Sequence, residues 1–552
     1  ETSISALTHE QAEAVQEIDH ALKERKEKIF LLHGVTSSGK TEVYLQSAAK
    51  ALAMGRSVIV LVPEIALVHQ IANRFIGRFG KSEIAILHSK LTPRERFDEW
   101  TRLRNGRAHI CIGARAAVFA PLSNIGLIIL DEEHETSYKS DQTPKYDTVD
   151  IAVKRLITNQ GVLILGSATP SVVSYERAKE GIYKKLTLKH RYNQTPLPEV
   201  AIIDMKEEMK RGNRGLFSIP LQEAMSSALN EGSQVILFQN RRGYSTYIHC
   251  EECGEALRCP DCGISLVYHK GRDAAFCHYC GRRFKVPKRC PVCGGPLSYS
   301  GVGTEQVEEQ IRVLFPDVPC ARLDFDTAKS PTAIDRILKS FSVGRTKILV
   351  GTQLVAKGLD FKNVGVVGVV SADSSLNLPD YRSGERTFQL VTQVAGRAGR
   401  GGKQGKVYVQ TFTPESFVLQ AAKEHDYDAF FRREIQIRKF MGYPPFSDMI
   451  LAEFASEDEQ AAFEEASKCR NFLIEQKLPD AEKIFPPRIS PYFQGSGNFR
   501  CQIFMKVPKG FRNRYVWFLR VYGDASYKKQ SRLKKKDGKV NMVIDVNPYS
   551  VF

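Results

Sequence analysis

Short apolar runs that end at small or charged residues recur along the first third of the chain. Ile29 to Leu32, Ile125 to Leu130 and the segment GVLIL (161–165) each have the length of one buried strand. Continuous apolar runs of this kind are typical of parallel strands that are covered on both faces. They predict a parallel sheet whose functional residues lie at the carboxyl edge of the strands.

The C-terminal part of the chain has a different pattern. The segments LAEFAS, CQIFMKV and VNMVIDV predict strands, and the residues from Glu457 to Gln476 predict an amphipathic helix. This combination indicates an α+β domain.

Composition narrows the class of protein. The chain has 552 residues, of which 42% are hydrophobic, and this length predicts three or four domains. Its apolar runs are shorter than the roughly 18 residues of a membrane helix. The opening segment ETSISALTHEQAEAV lacks the basic and apolar regions of a signal peptide. We therefore expect a cytoplasmic protein with no membrane partner.

The net charge of +17 favours a polyanionic partner, because Lys and Arg side chains release counterions from phosphates. From Lys506 to Lys539 there are twelve Lys or Arg residues against two acids, interleaved with aromatic residues. Such a mixture suits contact with a nucleic-acid backbone together with base stacking. A surface of solvated lysines is an equally good interpretation of this segment.

The first apolar strand leads into a phosphate-binding sequence. IFLLHGVTSSGKTEVYL fits the pattern G-x-x-x-x-G-K-[ST] with Gly34, Gly39, Lys40 and Thr41. In such a loop the amides cradle the β-phosphate, the lysine meets the β- and γ-oxygens, and the threonine hydroxyl holds Mg²⁺. The sequence therefore predicts a site for ATP and Mg²⁺.

The other two strands end at residues that fit the same site. Ile125 to Leu130 is followed by Asp131 and Glu132, which are candidates to hold Mg²⁺ and to activate the attacking water. The segment GSATPS (166–171) follows the third strand, and its hydroxyl groups could relay the phosphate state to a DNA-binding surface. Far downstream, QVAGRAGR (393–400) places Arg397 and Arg400 three residues apart. On one helix face, both could reach a γ-phosphate as arginine fingers.

Eight of the twelve cysteines lie between residues 250 and 293, in four C-x-x-C pairs that are each followed by Gly. The pairs are Cys250/Cys253, Cys259/Cys262, Cys277/Cys280 and Cys290/Cys293. Each pair predicts a zinc knuckle, and two knuckles make one tetrahedral site, so the insert should hold two structural Zn²⁺ ions. The four scattered cysteines, Cys111, Cys320, Cys469 and Cys501, are predicted to be core thiols.

Sequential, nested and interleaved pairings of the knuckles are all compatible with the sequence. A short hairpin between residues 262 and 277 favours the nested scheme, with 259/262/277/280 on one ion and 250/253/290/293 on the other. So small an insert has little core of its own, and chelation should unfold it. We interpret it as a wedge or docking platform that is moved by the motor.

The order of these motifs resembles that of superfamily 2 helicases: LVPEIALVHQ, DEEH, SAT, GTQLVAKGLDF and QVAGRAGR follow the phosphate loop. GVTSSGKTEVY, GARAAVFAP, GVGTE and PDYRSGERTFQL narrow the resemblance to the PriA family (primosomal protein N′) of bacterial replication-restart helicases. The resemblance runs from about Leu7 to the closing VIDVNP. It implies an α/β fold of two RecA-like P-loop lobes, with the double-zinc insert in the second lobe and the α+β domain at the C-terminus.

The resemblance implies an ATP-dependent 3′-to-5′ DNA helicase for replication restart at stalled forks and for primosome assembly. The implied partners are single-stranded and forked DNA, single-stranded DNA-binding protein and loading proteins of the primosome and replicative helicase, at the bacterial nucleoid. Carried over by motif, the catalytic residues are Lys40, Asp131, Glu132, Arg397 and Arg400, and Gln11 and Asp360 join the phosphate loop in binding nucleotide. The alternatives are a double-strand DNA translocase or remodeller that does not unwind, and a non-catalytic zinc-bearing DNA scaffold.

We expect lobe 1 at residues 1–187, lobe 2 at 188–249 and 295–415, the zinc insert at 250–294 and the C-terminal domain at 416–552. ATP should lie between the lobes. The DNA-binding modules that usually precede the lobes in this family are not in this sequence, so we expect a weaker preference for fork structure.

Overall fold

The computed structural model describes residues 6–192, 196–239, 247–269, 273–299, 303–324, 327, 331–352, 361, 363–398, 405–490, 499–530 and 539–549. The chain divides into two compact units, Glu1–Pro196 and Leu197–Phe552. Within these described ranges, no helix combines the length and the apolar character that a membrane span requires.

The first unit is a seven-stranded sheet with helices. In chain order its elements are α1 (His9–Glu24), β1 (Lys28–Gly34), α2 (Lys40–Ala53), β2 (Ser57–Leu61), α3 (Ile65–Phe79), β3 (Ile84–Leu87), α4 (Pro93–Arg104), β4 (Ile110–Gly113), β5 (Ile125–Asp131), α5 (Thr148–Asn159), β6 (Val162–Ser167), α6 (Val172–Lys179) and β7 (Lys184–Leu188). The strands are parallel, in the order β3-β4-β2-β5-β6-β1-β7.

Both faces of this sheet are covered, as the continuous apolar runs predict. Phe30 and Leu32 of β1 pack into the core formed with helices α1 to α3, and the intervening Leu31 is also fully buried. The three predicted strands are confirmed as β1, β5 and β6. These three are neighbours in the sheet, so their carboxyl ends lie side by side.

The second unit contains a six-stranded parallel sheet, the cysteine-rich insert and a C-terminal domain. Its first elements are β8 (Glu199–Asp204), α7 (Met205–Lys210), α8 (Ile219–Asn230), β9 (Gln234–Phe238), β10 (His249–Cys250), β11 (Val267–His269), β12 (Ala274–Phe276), β13 (Arg283–Phe284), β14 (Leu297–Ser298), α9 (Thr304–Leu314), β15 (Cys320–Leu323), α10 (Pro331–Ser342), β16 (Ile348–Gly351) and β17 (Val364–Val369). They are followed by α11 (Asp373–Leu376), α12 (Ser383–Ala395), β18 (Lys406–Thr411), α13 (Phe417–Lys423), α14 (Tyr427–Met441), β19 (Ser447–Ser456), α15 (Glu459–Glu475), β20 (Arg488–Ile489), β21 (Phe499–Pro508), α16 (Arg512–Gln530) and β22 (Asn541–Val546).

The large sheet of this unit has the order β15-β16-β9-β17-β18-β8. The insert forms two small antiparallel sheets, β10-β14 and β11-β12-β13, and the C-terminal domain an antiparallel sheet of order β20-β21-β19-β22. The strands and the helix predicted in the C-terminal domain are therefore confirmed.

Alternate residues of the C-terminal sheet face two different cores. Ile450 and Ile503 pack against the domain's own helices. Met449, Leu451 and Phe504 point the other way and share a buried cluster with the insert. The insert therefore packs against the C-terminal domain, a contact that its sequence does not predict.

Two of the domain limits drawn from the sequence divide a strand, and the one between residues 249 and 250 divides β10. The limit between residues 187 and 188 falls inside β7, which pairs with β1 through Leu188. The first compact unit continues to Pro196, and β8 opens the next sheet.

A buried ion cluster joins α12 to α14. Arg438 is 1% exposed and donates to Glu385 Oε2 at 2.6 Å and to Glu434 Oε1 at 2.9 Å.

Arg438→Met should leave two uncompensated carboxylates and destabilise the second unit by about 3–5 kcal/mol. Denaturant midpoints would measure this loss. Lys210→Met breaks only an exposed ion pair with Glu207 and should leave the midpoint unchanged; equal midpoints for both variants would contradict the prediction.

Candidate nucleotide site and metal centres

The phosphate loop joins β1 to α2. Gly39, the residue before α2, has φ of 82°, and a Cβ there would lie 2.3 Å from Gln11 Nε2. Only glycine fits both the backbone angle and this close approach. Lys40 and Thr41 open α2, and Lys40 Nζ donates to the Gly34 carbonyl at 3.0 Å. The loop therefore presents the lysine and hydroxyl that the motif predicts for a nucleotide phosphate.

Gln11 supports this loop from α1. It is 1% exposed, and its Nε2 donates to the Ser38 carbonyl at 2.9 Å. Its Oε1 accepts from the amide of Thr8, whose hydroxyl accepts from the Gln11 amide, which completes a capping box. The side chain that the family resemblance predicts to bind nucleotide is thus also hydrogen-bonded to the phosphate loop.

Asp131 ends β5 beside this loop, and its carboxylate Oδ1 accepts from the Tyr44 hydroxyl at 2.9 Å. Burial and the neighbouring Glu132 raise the pKa of Asp131 to about 6, against the opposing effects of Lys40 and Tyr44. A half-buried carboxylate of this kind suits Mg²⁺, whose charge would favour the ionised form of the carboxylate.

Tyr44 is a site residue that the sequence analysis missed. It lies in the first turns of α2 and is fully buried, and a Cβ on Gly166 would overlap its hydroxyl. The glycine of GSATPS is therefore needed to admit the tyrosine. The tyrosine of KTEVY and this glycine were the available signals, but they meet only because α2 packs where Asp131 of β5 lies opposite Gly166 of β6.

The DEEH and GSATPS segments are joined by side chains. His134 Nδ1 lies 2.7 Å from Ser167 Oγ, which accepts from the Thr169 amide. Glu133 accepts from the Ser171 amide at 2.6 Å. Glu132 itself has φ of 48°, in the left-handed region. Direct hydrogen bonds from Glu133 and His134 thus join the segment that contains the carboxylate pair to GSATPS.

The downstream motifs lie in the second unit. Helix α12 ends at Ala395, and Arg397 follows in a tight turn whose amide donates to the Val394 carbonyl at 3.0 Å. Arg397 therefore lies beyond the helix on which the sequence analysis placed it. Arg400 and Asp360 lie outside the described residues.

The eight insert cysteines form two groups of four. Cys259, Cys262, Cys277 and Cys280 make one group, here called the inner site, and Cys250, Cys253, Cys290 and Cys293 make the outer site. The grouping is the nested one that the sequence analysis favours. The four Cys-Gly corners have glycines with φ between 68° and 76°, which the turn after each knuckle requires.

The sulfur positions fit zinc. Four thiolates at about 2.3 Å around a tetrahedral Zn²⁺ would be separated by about 3.8 Å. The sulfurs are 3.8 Å apart for Cys259 and Cys280, 3.7 Å for Cys253 and Cys290, and 3.4 Å for Cys250 and Cys293. Each group thus has the size and chemistry of a closed structural zinc site.

Some aromatic residues of the basic C-terminal segment lie in the domain core, and others lie at the surface. Tyr515 of α16 is fully buried, and Phe518 and Tyr522 pack against the same core. Trp517 is 57% exposed and Tyr527 74% exposed. Only part of the aromatic set is therefore available for base stacking.

Two parallel sheets, a phosphate loop with its carboxylate pair and a Cys₄ insert define a helicase-type P-loop protein with structural zinc sites. Four family models match: "DEAD/DEAH box helicase" (residues 8–178), "PriA DNA helicase Cys-rich region (CRR) domain" (259–284), "Helicase conserved C-terminal domain" (302–402) and "Primosomal protein N C-terminal domain" (439–549). The chain belongs to the PriA family of replication restart proteins.

Curated relatives extend this similarity to nearly the whole chain. Replication restart protein PriA of Bacillus subtilis is 43% identical over 98% of this chain and 66% of its own length. The Synechocystis protein of the same name is 44% identical over 87% of this chain and 58% of its own, and that of Chlamydia pneumoniae 37% identical over 99% and 72%. The chain thus spans about two thirds of the length of these relatives.

We expect the hydrogen bond from the Tyr44 hydroxyl to Asp131 to lower the Mg²⁺ concentration that ATP hydrolysis requires. Tyr44→Phe keeps the ring but removes a hydrogen bond to a charged group, which contributes about 1.5–3 kcal/mol. We expect the Mg²⁺ concentration for half-maximal ATP hydrolysis to rise at least about tenfold. Tyr183→Phe, which removes a hydroxyl bonded to Arg177 in the same unit, serves as control. An unchanged Mg²⁺ requirement in Tyr44→Phe would refute this role.

Loss of the inner metal site should destabilise the protein more than loss of the outer site. Elemental analysis should find two zinc ions per chain, and one in either Cys259→Ser or Cys293→Ser. Because only the inner site shares the core of the C-terminal sheet, Cys259→Ser should lower the thermal midpoint markedly more than Cys293→Ser. Equal midpoints would show that the shared core does not depend on the metal.

Proposed function

We propose that the chain is the motor of an ATP-dependent 3′-to-5′ DNA helicase that acts in replication restart. The observation that carries this proposal is the convergence of Lys40, Asp131 and the His134–Ser167 contact at neighbouring strand ends of one sheet. Membership of the replication restart family supports the biological role.

In this proposal the loop amides, Lys40 and Thr41 would bind the ATP phosphates, and Asp131 would hold Mg²⁺, which would supply positive charge beside the phosphoryl group. Glu132 orients and deprotonates the attacking water. Gln11 orients the adenine while holding the loop through Ser38. Arg397, Arg400 and Asp360 remain candidates for sensing and binding the nucleotide.

Asp131 and Glu132 would be the first residues to respond when the γ-phosphate is lost or bound again. The hydrogen bond between His134 and Ser167 offers a direct route from there to the segment GSATPS. We propose that this route couples hydrolysis to DNA contact. Single-stranded and forked DNA, single-stranded DNA-binding protein and the primosome and helicase-loading proteins are the proposed partners, in the cytoplasm at the nucleoid.

The test is ATP hydrolysis and strand displacement by the purified chain. Single-stranded DNA should stimulate hydrolysis, and a forked duplex with a 3′ single-stranded loading strand should be unwound. Lys40→Ala should reduce hydrolysis by about 10²–10³-fold, since it removes a positioned charge, and should leave DNA binding intact. Lys50→Ala, an exposed lysine on the same helix, is the control.

Two outcomes would decide against the proposal. DNA-stimulated hydrolysis without strand displacement would favour a double-strand translocase. DNA binding by a folded protein whose hydrolysis does not respond to DNA would favour a non-catalytic scaffold.

A further inference from the structure

The inner metal site is enclosed by the C-terminal domain, although its four ligands come from the insert. Its cysteines share a buried cluster with Tyr443, Met449, Leu451 and Phe504. The glycine corners touch the same domain: a Cβ on Gly263 would lie 3.2 Å from Met441 Cε, and one on Gly281 would lie 3.8 Å from Arg488 Cβ. Water is therefore largely excluded from one side of the inner site.

Such a site needs compensating charge. Four thiolates around Zn²⁺ carry a net charge of about −2. A charge buried away from water is costly unless opposite charges or hydrogen-bond donors lie close to it. The outer site meets this need through solvent, because Cys293 is exposed and the neighbouring Val292 is 70% exposed.

Arg488 of β20 is one cation beside the inner site. Its Nη2 donates to Gln502 at 3.4 Å, and the guanidinium lies 5.8 Å from the ring centre of Phe504. Its Nε and Nη1 atoms are buried and have no hydrogen-bond partner among the described residues. Burial lowers the pKa of Arg488 to about 10, and the thiolates of Cys277 and Cys280 oppose that shift.

Lys506 of β21 is the second cation. It is 7% exposed, donates to the Met441 carbonyl at 3.0 Å and lies 3.9 Å from the ring centre of Tyr443. The Tyr443 hydroxyl in turn donates to the carbonyl of Cys262 at 2.7 Å. Burial lowers the pKa of Lys506, and the thiolates of Cys262 and Cys277 act in the opposite direction.

We propose that Arg488 and Lys506 are the counter-cations of the inner Cys₄ site, so that the C-terminal domain completes the electrostatics of a metal site whose ligands belong to the insert. Two positive charges match the net charge of a zinc tetrathiolate. The guanidinium carries two donor atoms without a hydrogen-bond partner among the described residues, and thiolate sulfur is an acceptor for such donors. The two cations thus act as positioning residues that make the buried metal site stable in this enclosure.

The test is the rate at which zinc passes to a chromogenic chelator, with the full chain carrying Cys293→Ser so that only the inner ion is counted. In this background Arg488→Met and Lys506→Met should each release zinc about 10–100-fold faster, as expected for loss of a partner around a metal site. Arg488→Lys, which restores the charge, should recover most of the retention. Arg500→Met, which removes an exposed cation of β21 paired with Glu453, should behave like the parent.

Cobalt substitution separates charge from packing. The Co²⁺ form of Arg488→Lys should keep the tetrahedral absorption bands of the parent at equal metal concentration, whereas Arg488→Met should need more Co²⁺ to develop them. Release rates equal to the parent in both methionine variants would overturn the proposal. It would also fail if Arg488→Lys were as defective as Arg488→Met, because the side chain would then act through its shape. If Arg488→Met does not fold, Lys506→Met and Arg488→Lys still decide the question.

Discussion

Parallel pairing of β5, β6 and β1 is the constraint on which the candidate nucleotide site depends. Asp131 is paired with Gly166, and Ser167 with His33 one residue before the phosphate loop. The backbone hydrogen bonds of a sheet fix the spacing of neighbouring strands at about 4.8 Å. Residues that are more than a hundred positions apart are thereby held within reach of one phosphate group, and Tyr44 adds a side-chain bond across the same edge.

The second unit relies more on buried charge. Asp380 lies just before α12, and Arg382 and Arg386 lower its pKa to about 2 despite the opposing effect of burial. The same arginines donate to the carbonyls of Pro548 and Tyr549. The start of the helix that leads to Arg397 is therefore tied to the C-terminal end of the chain. Removal of one partner from such a buried pair is costly, because it leaves the other charge uncompensated.

Local patterns explain why much of the fold could be predicted. A few adjacent residues are enough to predict β5 from its apolar run. The same holds for the phosphate loop and its glycine, lysine and threonine. The pairing of the zinc knuckles could also be predicted in part from local sequence, since a short hairpin joins the inner pairs. The role of Tyr44 could not be predicted, because it depends on the packing of α2 against strand ends that are far away in the sequence. Three of the five aromatic residues of α16 pack against the domain core, which could not be predicted because spacing alone does not tell which helix face is covered.

The sequence analysis interpreted the zinc insert as a wedge or docking platform, and the structure adds that it packs against the C-terminal domain. Its inner half lies against the C-terminal sheet, with Tyr279 stacked 4.9 Å from Phe504 and its hydroxyl accepting from the Tyr381 amide. The inner half therefore joins the insert to the C-terminal domain through a shared core. The outer half, with its exposed Cys293, keeps a free surface. One insert can thus serve two purposes, because the metal replaces the hydrophobic core that so short a segment cannot build.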